Sequence, residues 1–327
     1  VGRVIAGIRR FVARVIGAGH AVGTVRRSPR LASQRHIANF RAMARCLALK
    51  ADMDAKKGNV SQALEPICAG FSICSAWDNE PVLISFLVRI ACIGIFTDCL
   101  SDISKKHFIF PDPARTLIRQ LKIYECNLSP EKAFYGEVVN MGEWTFDFVK
   151  KGRASDLFYH GFDNLSPASR WFNLYGRSSL AKYDHAVYLE TMRKQIERSR
   201  ISVWEPDKGD FSETIPRPAI FTRIMTPALG AVTDRSFRIK AKLELCRIGL
   251  ALNLYKQKNG DYPDSLSKLS PEFIDEVHLD PFTGKPFRYD LKGDSVVLYS
   301  LGPNMIDDNG ASDYVQPVSP KPDDIAW

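Results

Sequence analysis

The stretch "DPFTGKPFRYDLKGDSVVLYSLGPNMIDDNG", residues 280–310, decides how the rest of the chain is read. "FRYDL" and "VVLYS" alternate in polarity and are rich in aromatic and β-branched residues, the composition of two strands. "KGDS" between them carries the glycine and aspartate of a tight turn, so the pair is read as a β-hairpin. The loop that follows holds Asn304, Asp307 and Asp308 in sequence that favours turns.

Upstream, a long helix is expected from Asp234 to Lys258, with Leu243, Ile248, Leu252 and Tyr255 among its apolar positions and "KNGDYP" ending it. Earlier still, "FRAMARCLALKADMDAKKGNVSQALEPICAGFSICSAW" reads as two helices joined at Gly58-Asn59. Its core, "ADMDAKKGNVSQAL", resembles a single tetratricopeptide hairpin, with no second copy at a fixed period.

Further helices are expected at 113–126 and 130–150, each opened by a proline, and over "SLAKYDHAVYLETMRKQIERS". Residues 152–180 and 202–218 read as loop-rich. The segment "EPVLISFLVRIACIGIFTDCL" is apolar almost all round, yet Arg89 sits at its centre. Because arginine at mid-membrane costs about 3 kcal/mol or more, a buried helix is expected there.

The net charge of +8 hides a gradient. Residues 1–45 hold ten arginines and no acidic residue, whereas residues 259–327 hold five basic and thirteen acidic residues. As a helix, "VGRVIAGIRRFVARVIG" places Val1, Val4, Ile5, Ile8, Phe11, Val12 and Val15 on one face, with Arg3, Arg10 and Arg14 opposite. That pattern suits the surface of an anionic membrane and is too polar to span one. No nucleic-acid recognition fold follows the arm, so no nucleic-acid partner is expected.

The seven cysteines show no C-x-x-C spacing, and Cys92 and Cys99 share one helix face as small buried hydrophobes. Phosphate-binding glycine loops, nucleophile elbows, His-Glu-x-x-His helices and dinucleotide glycine patterns are all missing from the sequence. His185 and Glu190 are five residues apart and Glu137 and Glu143 six, spacings that turn each pair away from a common helix face. No catalytic residue is assigned, and no small-molecule substrate is identified.

The ordered run "LALNLYKQKNGDYPDSLSKLSPEFIDEVHLDPFTGKPFRYDLKGDSVVLYSLGPNMIDDNG", followed by "DDIAW", resembles the C-terminal domain of the major pseudopilin of type II secretion systems. The shared features are a long helix ending in Gly-x-Tyr-Pro, an Asp-Pro-Phe-x-Gly-x-Pro turn, a tyrosine-bearing strand, Ser-Leu-Gly and a closing Asp-Ile-x-Trp. Upstream, "AKKGNVSQALEPICAGFSICSAWDNEPVLISFLVRIA" and "FYGEVVNMGEW" look like the helical part of bacterial envelope proteins that carry the same module.

The resemblance implies an α+β fold: a mostly helical N-terminal domain of helical hairpins, then a long helix packed on a small antiparallel sheet. It also implies a calcium-binding loop in which the Leu301 carbonyl, Asn304, Asp307 and Asp308 are the candidate ligands. Calcium favours oxygen ligands of this kind, although Asp, Asn and Gly at 307–310 equally suit a solvated turn. More than two hundred residues precede the module and no Gly-Phe-Thr-Leu-x-Glu run is present, so the filament role is not carried over.

The expected organisation is a basic arm and linker (1–33), a helical domain (34–229) and a pseudopilin-like domain (230–327). The expected function is that of a non-enzymatic protein of the bacterial envelope that acts on protein partners. Its arm would lie at the inner membrane and its C-terminal domain in the periplasm. A soluble helical-repeat adaptor and a hydrolase using residues 155–190 are the alternatives.

Overall fold

The structure, a computed structural model, describes residues 29–78, 80–152, 167–200, 215–226, 229–310 and 323–327. The amphipathic arm, linker residues 18–28, and much of the expected loops at 152–180 and 202–218 lie outside these residues. Within them the chain is mostly helical (68%) with a small three-stranded antiparallel sheet, an α+β class.

In chain order, α1 (Pro29–Lys56) and α2 (Val60–Ser75) precede α3 (Leu83–Lys106) and α4 (Pro111–Cys126). Next, α5 (Glu131–Glu137) runs through one π-helical turn, Val138–Gly142, into α6 (Glu143–Lys150). Then come α7 (Pro167–Arg177), α8 (Ser179–Arg200), the short α9 (Ile220–Met225) and α10 (Leu229–Asn259). Strands β1 (Arg288–Lys292), β2 (Ser295–Ser300) and β3 (Ile325–Ala326) complete the sheet, in the order β1-β2-β3. Helix α1 begins five residues before the expected start at Gln34, because Pro29 is accepted in a first turn and Arg30, Leu31 and Ala32 are good helix formers.

The described residues divide into two compact units that do not follow chain order. The described residues within Val1–Asn79, Leu87–Leu128 and Phe237–Trp327 make one, and those within Glu80–Phe86 and Ser129–Ser236 the other.

In the first unit, α1 and α2 form the expected hairpin. Gly58 turns the chain with φ +83°, and the small residues Ala44, Ala51, Ala55 and Ala63 are buried. Helix α3 buries Ile90, Ile93, Phe96 and Leu100, and is the one helix among the described residues long and apolar enough to cross a membrane by length and composition. Arg89 is itself buried and pairs with Asp78. Of the two helical cysteines, Cys92 is buried and Cys99 half-buried, its Sγ 3.4 Å from the Ala48 carbonyl.

Helix α10 is buried on nearly every side from Ala241 to Leu254, the charged Glu244 and Arg247 included. Three polar ties fix it to earlier helix and loop: Lys242 to Asp98 at 2.7 Å, Asn253 Nδ2 to the Ser104 carbonyl at 2.7 Å, and Gln257 Nε2 to the Ile109 carbonyl at 3.0 Å. Phe237 meets Phe282 edge-on, and Trp327 lies against Gly249.

The expected hairpin forms, with Lys292 opposite Ser295 and Arg288 opposite Tyr299, closed by the two residues Gly293-Asp294 with φ +60° at Gly293. Strand β3 pairs on the other side of β2, Ser300 opposite Ile325, a contact between segments far apart in sequence.

In the second unit, buried Asp184 on α8 organises its neighbours. Its carboxylate accepts hydrogen bonds from the Tyr175 hydroxyl (2.8 Å), the Thr222 hydroxyl (2.6 Å) and the backbone N–H groups of Phe221 (2.8 Å) and Thr222 (3.1 Å). Four donors replace the water that the carboxylate loses on burial.

Candidate functional site

The "DPFTGKP" turn is built around Asp280, whose side chain is buried. Its carboxylate accepts from the Phe282 N–H (3.0 Å), the Ser300 hydroxyl (2.9 Å) and the Leu301 N–H (3.3 Å). The turn is thereby tied to the end of β2, which fixes where the next loop starts.

That loop, 301–310, returns on itself and meets the segment 323–324. At Gly302, φ is +62° and a β-carbon would lie 2.1 Å from the Asp323 carbonyl oxygen, so only glycine fits both the backbone and the space. Met305 and Asn309 also have left-handed backbones, φ 57° in each, and these reversals aim successive side chains in different directions.

Asp308 and Asp324 form a reciprocal pair. The Asp324 Oδ2 accepts from the backbone N–H of Asp308 (3.0 Å) and Gly310 (2.8 Å), while the Asp308 Oδ2 accepts from the Asp323 N–H (3.0 Å) and the Asn304 amide (3.2 Å). Asp323 in turn is gripped by Arg238 of α10 at 2.5 Å.

The other oxygen of Asp324, Oδ1, is buried and has no hydrogen-bond partner among the described residues. Burial pushes the carboxyl of Asp324 up, and neighbouring Asp308 and Asp307 push it further, against the two backbone N–H groups that hold it down. A buried carboxylate oxygen without a donor is costly unless a cation or a proton meets it.

Of the four residues singled out in sequence, Asn304 and Asp308 come together at 3.2 Å. Leu301 opens the loop on the Asp280 carboxylate. Asp307 turns elsewhere: its Oδ1 accepts from the Tyr299 hydroxyl at 2.8 Å and its Oδ2 lies 3.3 Å from Arg288 Nε. The Tyr299 hydroxyl holds the carboxyl of Asp307 below its ordinary range, and burial with that same carboxylate pushes Tyr299 up to about 12. Sequence reasoning missed Asp324. Its only signal was the closing "DDIAW", with no spacing to connect it to a loop fourteen residues earlier.

No family model, curated protein or solved structure matches this chain.

Two other polar groupings were not expected from spacing. In the second unit His185 joins Glu143 (Nε2 to Oε1, 3.0 Å) and Lys150 (Nδ1 to Nζ, 2.9 Å) while stacking on Phe146, whereas Glu190 is held by Arg193. In the first unit, Glu244 and Arg247 of α10 are both buried and paired through two hydrogen bonds of 2.7 Å, and His278 bridges Glu125 and Glu276 beside them. The Glu125 hydrogen bond chiefly pushes His278 up to about 9.

Proposed function

We propose that this is a non-enzymatic, envelope-associated protein whose C-terminal module is pseudopilin-like and acts through association with other proteins. Calcium would hold the 301–310 loop against Asp323-Asp324. The observation that carries the reading is the buried Oδ1 of Asp324, without a donor among the described residues, on a carboxylate whose other oxygen holds the loop at Asp308 and Gly310. Asp324 and Asp308 would supply carboxylate oxygens and the Asn304 side chain and the Leu301 carbonyl would add to them, water completing the six to eight that calcium takes.

Bound calcium would neutralise the Asp308–Asp324 repulsion and lock the loop as a rigid edge beside β2. The chain's own residues do the rest. Asp280 fixes the start of the loop, Gly302 lets Asp323 approach, and Arg238 anchors Asp323 to α10. Asp307, occupied by Tyr299 and Arg288, ties the loop to the hairpin.

Calorimetric titration of the chelator-treated full chain with calcium chloride, paired with thermal unfolding, tests the reading. One saturable site with a raised melting temperature is expected, because a ligand that binds only the folded state stabilises it. An unchanged melting temperature at saturating calcium, or an undiminished shift in Asp324→Asn, sinks the calcium part. Flotation with anionic vesicles, with and without residues 1–17, tests the membrane part, and flotation that ignores the arm would favour a soluble adaptor.

A further inference from the structure

The grouping around His278 is built like a second and chemically different metal site. Three ligand-bearing residues come from three elements: Glu125 from the last turn of α4, Glu244 from the middle of α10, and His278 from the segment before the Asp280 turn. The His278 Nδ1 stands 2.8 Å from Glu125 Oε2 and 3.6 Å from Glu244 Oε2. A four-coordinate zinc with bonds of about 2.0–2.1 Å separates its ligand atoms by roughly 3.3 Å. The two observed spans lie on either side of that value, so small side-chain movements seat an ion between the three residues.

The surroundings hold each ligand in place. Glu244 Oε1 accepts from Arg247 Nη2 (2.7 Å) and the His278 backbone N–H (3.0 Å), which uses both of its lone pairs. Among the described residues Oε2 accepts from Arg247 Nε at 2.7 Å, which leaves one lone pair on the oxygen nearer the His278 ring. The other ring nitrogen, Nε2, is 3.1 Å from Glu276, itself steadied by Lys122 at 3.2 Å. A carboxylate on the far side of a ligating imidazole is the usual device for fixing its tautomer and orientation.

Access is adequate, since the side chains of Glu125 and His278 are 16% and 25% exposed. Water can therefore reach a fourth position, while Glu244 anchors the site from inside. An imidazole with two carboxylates suits a first-row transition ion and not an all-oxygen calcium cage.

We infer that Glu125, Glu244 and His278 bind a divalent first-row transition-metal ion, with zinc the best fit, and that the ion clamps α4 and the 275–280 segment onto α10. This site shares no residue with the calcium loop, so either can fail without the other.

The test uses the untagged full chain, stripped with chelator and saturated with calcium, titrated by calorimetry with zinc chloride and by absorbance with cobalt(II). One equivalent of zinc and the intense visible bands of four-coordinate cobalt are expected. His278→Ala should abolish both. Glu276→Gln, an exposed outer residue that leaves folding intact, should weaken zinc about 10–100-fold. Circular dichroism on each variant separates a lost fold from a lost ligand. No saturable zinc binding, zinc bound by folded His278→Ala with unchanged affinity, or undiminished affinity in Glu276→Gln overturns the assignment. The cluster would then be an ionic network around a protonated histidine.

Discussion

Trp327 lays its indole directly on the backbone of Gly249, so close that a β-carbon there would sit 2.0 Å from a ring carbon. In an ordinary helix interior, Gly→Ala gains about 1 kcal/mol from helix propensity. Here the ring must move, and overpacking of this kind costs about 1–3 kcal/mol. Gly249→Ala is therefore expected to lower the denaturant midpoint. A raised midpoint would show that Trp327 does not occupy this position.

The proposed calcium site ranks two aspartates. Asp324 offers a buried oxygen without a donor among the described residues, whereas Asp307 is engaged by Tyr299 and Arg288. Asp324→Asn should remove the calcium-dependent rise in melting temperature, and Asp307→Asn should keep most of it. The reverse order, read by thermal unfolding with and without chelator, would sink the calcium assignment.

Buried Arg89 and its partner Asp78 should respond asymmetrically. The side chains are 3% and 28% exposed, and Arg89 Nε is without a hydrogen-bond partner among the described residues. Burial lowers the pKa of the guanidinium, opposed by Asp78. Asp78→Ala strands the cation and should cost about 3 kcal/mol, while Arg89→Met, apolar and of similar length, should stay within about 1 kcal/mol of wild type. Equal losses in urea unfolding would mean that the arginine contributes through contacts beyond the pair.

Acid stability offers a fourth check. Asp275 accepts from Lys122 and lies 3.1 Å from Arg247, and the Lys122 hydrogen bond is the chief cause that lowers it to about 2. Because its folded pKa is depressed, its contribution is present above the ordinary carboxylate value of about 3.8 and is lost as pH falls through about 2. The stability gap between wild type and Asp275→Asn should therefore close across that window. A gap that persists to its lower end would mean the ion pair does not form.

Much of the fold was legible because its signals are local. Gly58 marks the α1–α2 turn, proline opens α4, and alternation on either side of "KGDS" marks the hairpin. Strand β3 was not legible, since two residues carry no period to detect. The site was half legible. Asn304 and Asp308 converge, but left-handed Met305 and Asn309 redirect the side chains, and no spacing rule anticipates which aspartate faces Asp324. The His278–Glu125 contact spans 153 positions, a separation at which helix and strand periodicities say nothing.

The first compact unit joins residues up to Leu128 with residues from Phe237 onward, and this shapes how the protein is made. At roughly 5–20 residues per second, about 7–27 s of translation separate the completion of α4 from that of α10. During that interval α1–α4 are complete while α10, which covers Asp98, Ser104 and Ile109, is still to come. The nascent chain therefore carries exposed apolar helices over that interval, the kind of surface that ribosome-associated chaperones shield.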